Sequence, residues 1–141
     1  MTTAAGVVFL AKDTGRCLLQ LRNSDKRFKN TWGFWGGMIE KGETVYQCIQ
    51  RELTEEIGFV PELAKLNPID VYQSRDKHFY YYSFVYLVEK EFSPVLNDES
   101  AGYAWVNIGV WPQPLHNGAR LTLNKNGGTE KLHTILAINR E

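Results

Sequence analysis

Cysteine is scarce: Cys17 and Cys48 are the only two in 141 residues, and they form no C-x-x-C pair, so neither a disulfide framework nor a thiol metal site is expected. An excess of one charge is missing too. Sixteen basic residues balance sixteen acidic ones, which leaves no overall field to draw the chain onto a nucleic-acid backbone or an anionic membrane. Stable nucleic-acid binding is therefore not expected, and the default partner is a small molecule. No apolar run approaches the ~20 residues of a membrane-spanning helix, and "MTTAAGVVFLAKDTG" lacks a basic signal-peptide n-region. The expectation is a cytoplasmic protein with reduced thiols and no membrane association. His78, His116 and His133 are scattered, and "GMIEKGET" has Glu43 where a phosphate-binding P-loop needs lysine. With no repeat, low-complexity stretch or linker, one mixed α/β domain over 1–141 is the economical reading.

The sequence does contain short strand-like runs and two helical patterns. "AAGVVFLA" (4–11) and "RCLLQLR" (16–22) flank the turn residues of "KDTG" and predict a hairpin. "WGFWGG" (32–37) predicts a short strand ending in a glycine turn. Val45, Ile49, Leu53 and Ile57 have helical spacing, with Thr44 or Glu43 to open the helix and Gly58 to end it in a left-handed cap. "PIDVYQ" and "HFYYYSFVYLVE", joined through "SRDK", predict an antiparallel pair, and "AGYAWVNI" a further strand. "WPQPLHNG" predicts loop because its two prolines remove backbone donors, and "TEKLHTILAIN" predicts a last helix.

The 44–57 helix raises a physical problem. At roughly 100° per residue from Val45, Glu55, Glu52 and Glu56 fall at about 280°, 340° and 20°, on one arc bordering the apolar stripe. Like charges at this spacing repel. A solvated acidic face is the simplest account of such a trio, but carboxylates at the margin of a buried stripe lose solvation and must take up protons or bind a cation. Oxygen ligands alone suit Mg²⁺ or Mn²⁺. Cys48, beside the stripe, reads as a small buried apolar residue.

The same segment resembles the signature of the Nudix hydrolases. Gly37, Glu43, Arg51-Glu52-Leu53, Glu55-Glu56, Gly58 and Phe59 stand at the motif's positions and spacing. Outside the motif the likeness is looser: a preceding "LLQLR", a "W-x-F-x-G-G" and a later "E-x-x-x-Y-x-W-V" starting at Glu99. Trp35 departs from the family, which usually has proline before the glycine pair. The resemblance implies an α/β/α sandwich around a mixed β-sheet, and metal-dependent hydrolysis of a nucleoside diphosphate linked to another moiety. Carried over by position, Glu52, Glu55, Glu56 and the main-chain carbonyl of Gly37 would be metal ligands. Arg51 would orient an acidic neighbour, and Glu43 would support the site without touching metal. The acids' repulsion would then be offset by bound cation and pyrophosphate.

Within that frame Glu52 is the first choice for general base and Glu99 its rival, Glu99 being weighed against a solvated turn residue. Arg22 is the expected phosphate contact, with Arg27 and Lys29 weaker candidates. Arg22 is equally readable as a strand-end surface charge. Phe34, Trp35 or Tyr80 could stack on a base, with core packing the competing reading for each. A nucleoside triphosphate, oxidised ones included, is the expected substrate. Nucleotide sugars, ADP-ribose and dinucleoside polyphosphates stay open, and homodimer formation is compatible with the sequence. A prenyl-diphosphate isomerase would need a cysteine in the pocket, which Cys48 does not suit, and a non-catalytic nucleotide-binding module would be expected to have lost a motif carboxylate.

Overall fold

A computed structural model describes residues 2–23 and 30–141; Arg27 and Lys29 lie outside the described residues. The strands are β1 (Thr2–Ala11), β2 (Arg16–Arg22), β3 (Trp32–Gly33), β4 (Trp35–Met38), β5 (Leu66–Gln73), β6 (Phe79–Val88) and β7 (Ser100–Asn107). The helices are α1 (Val45–Ile57), α2 (Asn117–Arg120), which runs on into a π-helical turn at Leu121–Lys125, and α3 (Gly128–Asn139).

β1 organises the sheet because both its faces are apolar, as expected of a strand covered on two sides. Ala5, Val7 and Phe9 point into the core beneath α1, while Val8 and Leu10 point into the core beneath α2 and α3. β2 and β6 divide the same way, with Leu18, Phe84 and Tyr86 on the first side and Cys17, Leu19 and Val85 on the second. The result is an α/β/α sandwich around a mixed sheet. β6 runs parallel to β1 along its length, from Thr2↔Phe79 to Ala11↔Val88, and β5 pairs antiparallel with β6.

The other edge of β1 is shared between two strands, and this positions the site. β4 takes Ala4 to Val7, and β2 takes only Phe9 and Leu10 before diverging to pair with β7 and β3. Where β2 leaves β1 and β4 replaces it, the sheet forks. Trp35 fills the base of the fork, fully buried, its indole N–H donating to the Leu18 carbonyl at 3.2 Å. The 32–37 segment, expected as one strand, is thus two: β3 serves β2 and β4 serves β1, one on each arm of the fork.

α1 forms as its sequence predicts. Thr44 caps it, its hydroxyl accepting from the Gln47 N–H while the Gln47 side chain accepts from the Thr44 N–H, and Gly58 ends it at φ 67°. Cys48, Ile49, Leu53 and Ile57 are buried against the sheet, each larger apolar side chain contributing about 1.5–3 kcal/mol. Phe59, just past the cap, packs edge-on to Phe9 and Tyr86 and stacks with Phe92 at 5.3 Å. On the opposite layer the expected loop at 111–118 gives way to α2 from Asn117. His116 caps that turn, its Nδ1 accepting from the Gly118 N–H at 3.3 Å. Among the described residues no helix is long and apolar enough to cross a membrane.

Candidate active site

The fork opens into a cleft of about 280 Å³, lined by Gln20 and Arg22 of β2, Gly36, Gly37 and Met38 of β4, Glu40 of the turn that follows, Glu52 and Glu56 of α1, and Glu99 just before β7. Alternation along β2 turns Gln20 and Arg22 to one face. A shift in the β2–β7 register at Leu21/Arg22 re-aims the strand end. The two glycines lie directly beneath the acids. A Cβ on Gly37 would come within 2.6 Å of Glu52 Oε1, and one on Gly36, at φ 148°, would collide with the Ala5 carbonyl. Gly36 thus lets β4 close on β1, and Gly37 lets the Glu52 carboxylate lie against β4.

Carboxylate oxygens of Glu52, Glu56 and Glu99 all lie within 4.8 Å of one another. Glu56 is 1% exposed. Its Oε1 accepts from the Gly36 N–H at 2.9 Å and its Oε2 from Gln20 Nε2 at 2.9 Å, so its donors are neutral. Burial pushes the Glu56 carboxyl up to about 8, with Glu52 and then Glu99 adding to the shift and the bonds from Gln20 and Gly36 opposing it. Burial also raises Glu52, although Arg51 Nη1 lies 2.8 Å from its Oε1 and pulls the other way.

Arg51 braces the lower part of the motif. Its Nε and Nη2 grip both Glu43 oxygens at 2.7 and 2.9 Å, and Nη2 also reaches the Met38 carbonyl at 3.1 Å. Through these bonds the guanidinium holds Glu43 down to about 2, and the Glu40 N–H, donating at 3.0 Å, adds to this. Glu43 therefore closes the turn before α1. Cys48 packs under the same turn, its thiol donating to the Gly37 and Met38 carbonyls at 3.7 and 3.5 Å, and burial pushes that thiol up to about 12.

The remaining candidates separate cleanly. Glu55 stands apart from the convergent trio, its side chain 56% exposed and 3.7 Å from Arg51; Glu99 occupies the third position instead. Arg22 lines the cleft. Phe34 and Trp35 are buried in the two cores, which is the packing reading and leaves neither ring face free for a base. Tyr80 lies on β6 opposite Gln73, whose amide donates to its hydroxyl at 2.6 Å. Gln20, Ser100 and Asn97 were not foreseen. The signal for Gln20 was a polar residue interrupting "CLLQL" on the face that Leu18 occupies.

Oxygen-only donors, three converging carboxylates and, among the described residues, only neutral donors on Glu56 fit a hard divalent ion. The model of the NUDIX domain matches residues 1–124. The chain belongs to the Nudix family. An ADP-ribose pyrophosphatase of Methanocaldococcus jannaschii is 35% identical over 60 residues, covering 43% of this chain and 34% of that protein. The 8-oxo-dGTP diphosphatase of Escherichia coli is 33% identical over 75 residues, covering 53% and 57%. The chain thus spans between a third and somewhat over half of the length of these two curated relatives. A nucleoside triphosphatase, NudI, of Salmonella paratyphi B is 29% identical over 102 residues, covering 64% and 72%. Among solved structures, a MutT Nudix hydrolase of Burkholderia pseudomallei superposes with a TM-score of 0.68 at 24% identity, covering 88% of this chain and 96% of that one. At that identity the likeness bears on the Nudix fold alone. Nudix hydrolases generally use a divalent metal, and the acidic cluster described above lies partly on the Nudix motif.

Proposed function

We propose that this Nudix protein hydrolyses a pyrophosphate bond in a nucleoside diphosphate derivative, foremost a nucleoside triphosphate, with Mg²⁺ or Mn²⁺. The observation that carries the reading is the convergence of Glu52, Glu56 and Glu99 over Gly36 and Gly37, with Arg22 on the facing arm of the fork. When bound, the ion would neutralise charge on the phosphate oxygens and acidify the attacking water. The three carboxylates would hold it, with the main-chain carbonyl of Gly37, which also lines the cleft, as a further ligand.

Glu52 takes the proton from the attacking water, with Glu99 as the alternative base, and Arg51 fixes the orientation of Glu52 through the 2.8 Å contact. Glu56 is held by Gln20 and Gly36 so that it cannot swing away. Arg22 contacts substrate phosphate, as a forked guanidinium does well. Glu55, exposed and outside the trio, is a further candidate ligand at the margin of the site. Relatives named as acting on 8-oxo-dGTP and nucleoside triphosphates support a nucleoside triphosphate as the substrate class. ADP-ribose, named for the Methanocaldococcus relative, nucleotide sugars and dinucleoside polyphosphates belong in the same assay.

The test is a panel of these nucleotides with Mg²⁺ or Mn²⁺, identifying which phosphates are released. Metal-dependent turnover that stops with chelator is the expected result. Undiminished turnover after exhaustive chelation would rule out the metal reading. Tight nucleotide binding with no product from any member would favour a non-catalytic binding module instead.

A further inference from the structure

Glu99 is the one member of the acidic trio that does not lie on α1, so its place depends on how its own turn is anchored. The last carbonyls of α1 need partners from outside the helix. Those of Leu53 and Thr54 are taken by Gly58 and Phe59. The next ones are satisfied by the segment leading to Glu99. The Asn97 amide Nδ2 donates to the Glu55 carbonyl at 3.0 Å, and the Asn97 backbone N–H donates to the Glu56 carbonyl at 3.1 Å. The Asn97 Oδ1 then accepts from the Glu99 N–H at 3.0 Å, an Asx-type turn that fixes the backbone two residues on.

One side chain thus joins the end of α1 to the backbone of Glu99. The next residue is anchored as well. Gln20 Nε2, which donates to Glu56, also donates to Ser100 Oγ at 2.6 Å, and on the far side the Asn23 N–H and amide donate to the Glu99 and Asp98 carbonyls. The anchors at Asn97 and Ser100 bracket Glu99, and both lead to the α1 acids.

We infer that Asn97 is a positioning residue that registers the Glu99 carboxylate against Glu52 and Glu56, so that the third metal ligand is set by a link from the C-terminal end of the motif helix. This rests on the reading of the trio as a metal site. Capping alone would make Asn97 a stability residue, whereas registration makes its effect on metal pass through Glu99.

The discriminating experiment measures Mn²⁺ affinity of chelator-stripped protein by electron paramagnetic resonance, alongside metal-free melting, for wild type, Asn97→Ala, Asn97→Ser, Glu99→Gln and Asn97→Ala/Glu99→Gln. Residues that orient metal ligands commonly change affinity by about 10–100-fold. Asn97→Ala is expected to weaken Mn²⁺ by about tenfold, Asn97→Ser by less because a serine hydroxyl retains part of the turn, and Asn97→Ala is expected to add nothing once Glu99 is glutamine. An equal loss from Asn97→Ala in both backgrounds, or no loss in the wild-type background, overturns the inference while leaving the metal site standing. Should Asn97→Ala not fold, Asn97→Ser against Asn97→Ser/Glu99→Gln makes the same comparison. Glu99→Gln binding Mn²⁺ as tightly as wild type would instead overturn the assignment of Glu99 as a ligand, and the inference with it.

Discussion

Two polar clusters with buried members lie on opposite faces of the sheet, and they are built on opposite plans. At the π-helical turn after α2, Thr122 Oγ1 donates to Asp70 Oδ2 at 3.0 Å and lies 3.3 Å from Ser83 Oγ, while Asn126 Nδ2 donates to the same Asp70 oxygen at 2.9 Å. One carboxylate there meets several donors, and the cluster is closed. Beneath α1, three carboxylates converge; the most buried of them, Glu56, accepts from the neutral donors Gln20 and Gly36, while Arg51 donates to Glu52. A cluster with donors matched to acceptors stabilises the fold by itself. One in which buried carboxylates crowd together is stabilised by a cation or by protons, and is therefore suited to bind a cation.

The largest effect expected from this contrast is on Glu56. Glu56→Gln should lower turnover by about three orders of magnitude or more, about 4 kcal/mol of transition-state stabilisation, while the metal-free variant melts no lower than wild type. The new amide can still accept from the Gly36 N–H, and Gln20 can flip to accept from it while Ser100 donates in turn. A fully active variant on the best substrate would show the open cluster to be mere surface chemistry.

The next effect is the pH dependence of the metal-free fold. Glu56 is raised to about 8, so between about pH 4.5 and pH 8 the native state binds the extra proton, and stability falls as pH rises through that window. The loss is on the order of a few kcal/mol by the top of the window. Glu56→Gln should flatten it, and saturating Mn²⁺ should raise the melting temperature of wild type most near pH 8. Chemical denaturation with chelator at pH 5 and pH 8 checks this; equal stabilities at the two pH values would contradict it.

The closed cluster should respond in the reverse sense. Thr122→Val removes the hydroxyl shared by Asp70 and Ser83 and should cost about 1–3 kcal/mol of stability, with Mn²⁺ affinity unchanged. A change in metal affinity would mean that the two faces are not independent. The smallest effect is expected at His116, on the same face as Thr122, where burial, helped by Arg22, lowers the imidazole to about 4. The folded state then binds fewer protons between about pH 4 and 6.5, so stability is lost as pH falls through that window, by on the order of 1 kcal/mol after allowance for its partial exposure. His116→Asn keeps a helix-capping side chain and should remove this acid-side slope; an unchanged slope would assign it to other groups.

The contrast also shows which parts of the molecule its sequence could reveal. α1 was legible to its caps because every determinant is local: Thr44 with Gln47, the apolar spacing, and Gly58. The β1–β2 hairpin and the β5–β6 pair were legible for the same reason. The fork was not, since nothing in "WGFWGG" says that its halves pair with different strands. α2 was hidden behind prolines and an Asn-Gly pair, and its cap is a histidine, which is not a usual cap signal. The wheel placed Glu52, Glu55 and Glu56 on one arc, but not how far that arc turns toward the sheet; the structure faces Glu52 and Glu56 inward and leaves Glu55 exposed. Gln20, Asn97 and Ser100 act through contacts distant in sequence, which no local pattern encodes.

The most direct test of the open-cluster account is a calorimetric titration of Mn²⁺ into chelator-stripped wild type and Glu56→Gln at pH 7, in two buffers of different ionisation enthalpy so that protons are counted. Wild type should bind Mn²⁺ and release a proton from Glu56, and the variant should bind at least about tenfold more weakly and release none. Equal affinity and equal proton counts in the two proteins, or no binding by wild type, would contradict it.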